Sequence, residues 1–240
     1  MNKPKRTAIL LLLCCISANL CEAGAKSRLI TNLESGQKQV VVAYGTSLTA
    51  NGPWVKQVAD VLEKRYPGLS TVINSGGSGQ WSQWGVKNLD QRVLQKKPDT
   101  VLIEFAINDS VARFKGSVEI ARTNLETMID HILKANPKCE IILMTMTPGN
   151  KYPEEHRSYR KNIEAHYEMY RSVAKQRGLL LIDHYPNWKA LQSADKKLFQ
   201  EYVPDTIHPT PEGCSKIVTP VMLDALGIGA AEQNNLSVNN

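Results

Sequence analysis

The chain has 240 residues, 42% hydrophobic and 22% charged, with a formal net charge of +6. That length and balance suit one good-sized globular domain and exclude wholesale disorder. The charge is mildly basic and no Lys/Arg cluster dominates, which argues against nucleic-acid binding while leaving room for an acidic polysaccharide as partner.

The first 25 residues read as a secretory signal peptide. Lys3, Lys5 and Arg6 form a basic start, Ala8 to Leu20 is an apolar stretch too short to span a bilayer comfortably, and Ala23-Gly24-Ala25 offers a small-x-small cleavage site. Cleavage is expected after Ala25. It removes three basic residues and Glu22, leaving a formal charge of +4. Cys21 raises a lipoprotein reading, but Leu20 before it is large where a small residue is wanted. No later apolar run is long enough to cross a membrane. The mature chain is therefore expected to be secreted or periplasmic. Of five cysteines, Cys14, Cys15 and Cys21 leave with the signal. Cys139 and Cys214 are expected to be free, buried thiols, and with no CxxC a zinc or redox reading has no support.

After a polar lead-in, Val40–Ala43 is the first strand, short and β-branched enough to be buried on both faces. Pro53 to Tyr66 is a helix, stopped by Pro67-Gly68. Thr71–Ile73 is the second strand, followed by the flexible loop Asn74 to Gly79. Val86–Leu94 reads as a helix, Thr100–Phe105 as the third strand, and Val118–Leu133 as an amphipathic helix capped by Ser117. Ile141–Met144 is the fourth strand, Arg157–Arg177 a long helix ended by Gly178, and Leu179–Ile182 the fifth strand. A polar, helix-prone stretch leads to Asp205, and Pro211–Leu226 is the last helix. Residues 26–229 thus form one α/β domain, a three-layer α/β/α fold on a five-stranded parallel sheet, with a polar, disordered tail over 230–240.

Four stretches sit where such a sheet gathers its ligand-binding edge. They are Gly45-Thr46-Ser47-Leu48 after the first strand, Gly79 after the second, Asn108-Asp109 after the third, and Asp205-Thr206-Ile207-His208-Pro209 before the last helix. Each alone has a bland explanation. Ser47 can merely cap the next helix, Gly79 can be a tight turn, and Asn-Asp is ordinary turn chemistry. Together they supply the parts of acyl transfer. Ser47 is a nucleophile that needs a base. His208 is a base that Asp205 can orient and stabilise. The N–H groups of Ser47 and Gly79 and the side-chain amide of Asn108 can face an oxyanion. Asp205 and His208 lack an evident third partner for a metal, and no cofactor motif occurs.

On these residues the chain resembles the GDSL-type, or SGNH, hydrolases, from about Val40 to Leu226. Their Gly-Asp-Ser-Leu block appears as Gly45-Thr46-Ser47-Leu48, their Asn-x-Gly-x-x-Gly loop as Asn74, Gly76 and Gly79, their Gly-x-Asn-Asp block as Ala106-Ile107-Asn108-Asp109, and their Asp-x-x-His-Pro block is intact at 205–209. Thr46 in place of aspartate and Ala106 in place of glycine mark a divergent subfamily. The resemblance implies a flavodoxin-like fold and ester hydrolysis by a catalytic Ser47, Asp205 and His208, without a metal or cofactor. The Gly-x-Ser-x-Gly elbow is absent, because Gly76-Gly77-Ser78-Gly79-Gln80 fails at its last position.

Trp81 and Trp84 follow the glycine loop. They can line the substrate site, stacking on a sugar ring or covering an acyl chain, or simply pack their helix on the sheet. His131, His156, His166 and His184 read as structural or surface groups, while Asp183, at the end of the fifth strand, can equally line the rim of the site or serve the core or a cap. A small-molecule or carbohydrate ester is the expected substrate, with acetyl the expected acyl group. A lysophospholipase or thioesterase of the same fold is the near rival, and a non-catalytic glycan-binding protein the distant one.

Overall fold

Runs of aliphatic and β-branched residues without polar alternation are strands covered on both faces. The computed structural model describes residues 26–149 and 152–228. The expected signal segment and tail lie outside them. Five parallel strands, β1 (Gln39–Gly45), β2 (Ser70–Asn74), β3 (Thr100–Glu104), β4 (Glu140–Thr145) and β5 (Leu180–Asp183), form one sheet in the order β2-β1-β3-β4-β5. This is the flavodoxin-like order, and it reverses direction between β1 and β3. Ligands of such sheets bind beyond the carboxyl ends of the strands at that reversal. Gly45 and Glu104, the last residues of β1 and β3, stand opposite each other there.

The helices are α1 (Arg28–Glu34), α2 (Ser47–Ala50), α3 (Pro53–Arg65), α4 (Ser82–Arg92), α5 (Ala106–Asp109), α6 (Val118–Ala135), α7 (Ile163–Arg177), α8 (Tyr185–Ala194), α9 (Lys196–Tyr202), α10 (Pro211–Gly213) and α11 (Thr219–Leu226). Helices α4, α6 and α7 pack side by side on one face of the sheet, and α3 and α11 cover the other. The core between them is continuous and includes Val42, Leu62, Ile103, Leu125, Ile142, Tyr170 and Met222.

Besides α4, which starts at Ser82 rather than Val86, three elements differ from the sequence expectation. The lead-in contains α1, whose inward face is only Leu29, Ile30 and Leu33, too few positions to show a period. Its first turn is fixed from far along the chain: the Glu140 carboxylate accepts hydrogen bonds from the N–H groups of Arg28 (2.9 Å) and Leu29 (2.8 Å). Helix α7 starts at Ile163 rather than Arg157, because Arg160 forms an antiparallel bridge with Val111 and Asn162 takes a left-handed φ of 56°. The last helix is broken into α10, a π-helical turn at Cys214–Val218, and α11. Pro220 has no N–H to donate and its ring crowds the carbonyl four residues back, so the chain widens before it.

Glu140 generates a test of this frame. Glu140→Ala leaves two N–H groups at the start of α1 without a partner and should cost about 1–3 kcal/mol of stability. Urea unfolding of the variant checks this; an unchanged midpoint would show that α1 is held by its apolar face, the Ser27 cap and the Arg28 side chain without Glu140.

Candidate active site

The turn after β1 is shaped by crowding. A Cβ at Gly45 would stand 2.5 Å from both Glu104 Oε1 and Thr49 Oγ1, so only glycine fits between the two strands. Thr46 then caps α2, its hydroxyl accepting from Leu48 N–H at 3.2 Å. The cap is itself held by Glu104, which is 2% exposed. Glu104 Oε1 accepts from Thr46 N–H (2.8 Å), Thr46 Oγ1 (2.9 Å) and Thr49 Oγ1 (2.8 Å). The carboxylate that holds the cap thus comes from β3. From the other side the Asn74 amide donates to Thr49 O at 2.8 Å, while its oxygen accepts from Gly76 N–H at 3.1 Å. Gly76 lies so close that a Cβ would meet Ala50 N at 2.3 Å. Ser47 therefore opens α2 on a turn fixed from three strands.

The second turn comes from Asp205 to His208. Thr206 sits at a left-handed φ of 63°, rare for a β-branched residue. That conformation folds the chain back so that Asp205 Oδ1 accepts from both Ile207 N–H (3.0 Å) and His208 N–H (2.7 Å). The other oxygen, Oδ2, lies 2.6 Å from His208 Nδ1. Thr147 Oγ1 donates to Ile207 O at 2.8 Å and pins the turn beyond β4. Burial works to raise the Asp205 pKa, but hydrogen bonds from the His208 ring and the backbone outweigh it and hold the carboxyl below its usual value. His208 Nε2 lies 2.8 Å from Ser47 Oγ. Serine, imidazole and carboxylate are in line although 161 positions separate the first two.

A cleft of about 330 Å³ opens over this pair, walled in part by Gly79, Asn108, Arg113 and Arg160. Gly79 has a φ of 71°. Asn108 is 5% exposed. Its Nδ2 donates one hydrogen to Gln80 O at 2.7 Å, which leaves the second for another acceptor. A smaller cavity of about 190 Å³, with Leu48, Trp54, Pro209 and Cys214 in its walls, meets the cleft at Ser47 and His208.

Residues 41–215 match the GDSL-like Lipase/Acylhydrolase family. The chain belongs to that family. An uncharacterized lipoprotein of Bacillus subtilis is 24% identical over 206 residues, covering 72% of this chain and 84% of the relative. A GDSL esterase/lipase of Arabidopsis thaliana is 22% identical over 200 residues, covering 72% and 79%. Among solved structures, a putative GDSL-like lipase of Parabacteroides merdae superposes with a TM-score of 0.71 at 17% identity, covering 80% of this chain and 97% of that one. The acetylxylan esterase Axe2 of Geobacillus stearothermophilus gives 0.65 at 21% identity, covering 80% and 96%. This GDSL-family chain is an ester-hydrolysing enzyme with the family's parallel α/β fold.

The two tryptophans are spent on packing. Trp84 contacts Tyr44, Phe105 and the Arg92 guanidinium, and Trp81 stacks on Phe114 at 4.9 Å. Neither is among the residues that wall the cleft over Ser47, and of the two alternatives the sequence left open for Trp81 and Trp84 these contacts are those of packing. Trp84 is turned toward Tyr44 of β1 and Phe105 before α5, and Trp81 toward the turn at Ala112–Phe114. Ser78 hydrogen-bonds Asn51 at 2.9 Å. Asp183 is bound by Arg171 at 2.8 Å and lies away from the cleft. Among the described residues no group of three or more His, Cys, Asp or Glu is placed to hold a metal ion. Sequence reasoning missed Glu104 and Arg160. Glu104 carried a signal, a carboxylate ending an apolar strand; Arg160 carried none.

Glu104 and Asp109 are both fully enclosed, and desolvation lifts each pKa to about 7, against hydrogen bonds from Thr49 and Thr46 to Glu104 and from Ser82 to Asp109. A carboxyl raised on folding keeps its proton in the native state after the unfolded chain has lost it. Its contribution to stability is full below the unfolded pKa and is lost as pH rises toward 7. His184, lowered to about 4 by burial, has the opposite slope, so the difference between two variants isolates the glutamate. Glu104→Gln should gain stability relative to the unsubstituted protein as pH rises from about 4.5 to 7, and the gain should level off above. Melting temperatures of both proteins across that range check it; parallel curves would mean that Glu104 stays ionised throughout.

Proposed function

We propose that this GDSL-family protein is an exported serine esterase working through an acyl-enzyme, with small acyl groups on carbohydrate, acetyl foremost, as its substrates. The line from Ser47 through His208 to Asp205 is the observation that carries the mechanism. His208 Nε2 takes the proton of Ser47 Oγ as the oxygen attacks the ester carbonyl, and then returns it to the departing alcohol. Asp205 holds the tautomer in which Nε2 is the acceptor, and stabilises the imidazolium. Water repeats the sequence on the acyl-serine and releases the acid. The oxyanion of each tetrahedral state is met by the N–H groups of Ser47 and Gly79 and by the second amide hydrogen of Asn108.

The choice of acyl group follows the walls of the site. The apolar cavity beside Ser47 is small and the main cleft is largely polar, a poor match for a long acyl chain and a good one for a sugar. A fold shared with an acetylxylan esterase is compatible with this reading. Export is supported by the basic and apolar start of the chain and by the lipoprotein name of the Bacillus relative.

Ser47→Ala should abolish hydrolysis of p-nitrophenyl acetate and of acetylated sugars with little change in melting temperature. Turnover that survives the substitution would assign the chemistry to another nucleophile. Asn108→Ala should lower kcat by about 10²–10³ while moving KM far less, because its hydrogen bond strengthens only as the oxygen gains charge. A loss of activity that only follows the folded fraction would make Asn108 a turn residue.

A further inference from the structure

Arg160 is 6% exposed, and a guanidinium at such depth ordinarily has a carboxylate beside it. This one has none among the described residues. Its hydrogen bonds go to neutral oxygens: Gly149 O at 2.9 Å, Ile107 O at 3.1 Å, Asn108 Oδ1 at 3.4 Å and Ser158 O at 3.5 Å. The nearby carboxylate Asp205 is occupied with His208. The exposed Arg113 is close enough to repel it. The two are brought together by backbone. Val111 pairs with Arg160, Ala112 N–H donates to Tyr159 O at 2.9 Å and Arg113 N–H to Arg157 O at 3.0 Å. Arg113 then lies over the glycine loop, donating to Gly79 O at 3.3 Å and to Ser158 Oγ at 3.4 Å. Both guanidinium groups line the cleft that holds Ser47 and His208, and no acidic side chain lines it.

Two like charges facing one polar cavity, with no anion of the protein between them, are suited to an anion brought by the ligand. We propose that Arg113 and Arg160 form a recognition site for an anionic group, carboxylate or phosphate, carried on the alcohol half of the ester, so that the enzyme prefers acyl esters of acidic sugars. The inference rests on the esterase reading for the identity of the cleft. The alcohol half is assigned because the apolar cavity on the other side of Ser47 suits the acyl group. Arg160 also borders a second cavity of about 440 Å³, but there Glu164 stands beside Tyr185 and Lys189, so the anion site is confined to the cleft over Ser47. Arg160 has one N–H left for such a group after its four bonds to protein oxygens, and Arg113 has three, so the anion would be held by charge and by hydrogen bonds from both side chains.

Binding separates this idea from catalysis. Ser47→Ala protein is titrated calorimetrically with three acetylated methyl glycosides, a hexuronate, a hexose 6-phosphate and the neutral hexose. The expected result is at least about tenfold tighter binding of one or both anionic ligands than of the neutral one, the scale of hydrogen bonds to a charged group, with the preference shrinking at high salt. The stronger of the two anionic ligands identifies the source of the charge. Arg113→Gln, a surface change that spares the core, should cut the preference severalfold, and Arg160→Met should reduce it toward one. Equal affinity for all three ligands would overturn the proposal. So would Arg160→Met turnover, in the protein with Ser47 intact, that falls equally on charged and neutral esters, since Arg160 would then only position Asn108. A chain that hydrolyses none of the esters would refute the esterase reading alone, because the calorimetric comparison still decides whether the cleft binds anions.

Discussion

A single buried carboxylate governs the nucleophile end of this structure. Glu104 ends β3 directly across from Gly45, and three donors of the turn around Ser47 converge on it. Glu104 is 2% exposed, so the geometry of the turn and the ionisation of the glutamate are one problem. The low exposure that strengthens each hydrogen bond also raises the cost of the charge. In this turn Thr46, just after β1, supplies the cap and Glu104, at the end of the neighbouring strand, supplies the carboxylate that holds it.

The fold was legible because its signals are local. Strands such as Val101-Leu102-Ile103 and Ile141-Ile142-Leu143 are apolar on both faces, and helices such as α6 carry their period and their Ser117 cap within a few residues. Parallel pairing and the switch between β1 and β3 follow from strand–helix alternation. The meeting of Ser47, Asp205 and His208 was legible for a related reason: each lies in a short stretch with its own pattern, and the sheet edge is where those stretches must gather.

What stayed hidden depends on partners far away in the chain. The start of α4 is set by Asp109, which accepts from Ser82 N–H at 2.8 Å, and no nearby residue announces it. Helix α7 loses its first expected turns to a bridge with Val111. Arg160 looked like one more charge on a helix face until that bridge drew it inward. Trp81 and Trp84 show the converse: an aromatic pair next to a site motif was read by proximity along the chain, while the direction of the rings is set by Tyr44, Phe105 and Phe114.

The two described thiols have a consequence for how this molecule is made. Cys139 and Cys214 are unlinked and buried, and burial foremost pushes their pKa values up to about 12 and about 11. A thiol that stays protonated at neutral pH neither attacks a disulfide nor yields readily to peroxide. Folding of residues 26–228 therefore requires no oxidant and no disulfide exchange, and it offers no foothold for mispairing. The same native state is accessible under the reducing conditions of the cytosol and the oxidising conditions outside it, so production of active protein without export, in an ordinary reducing host, is compatible with this architecture.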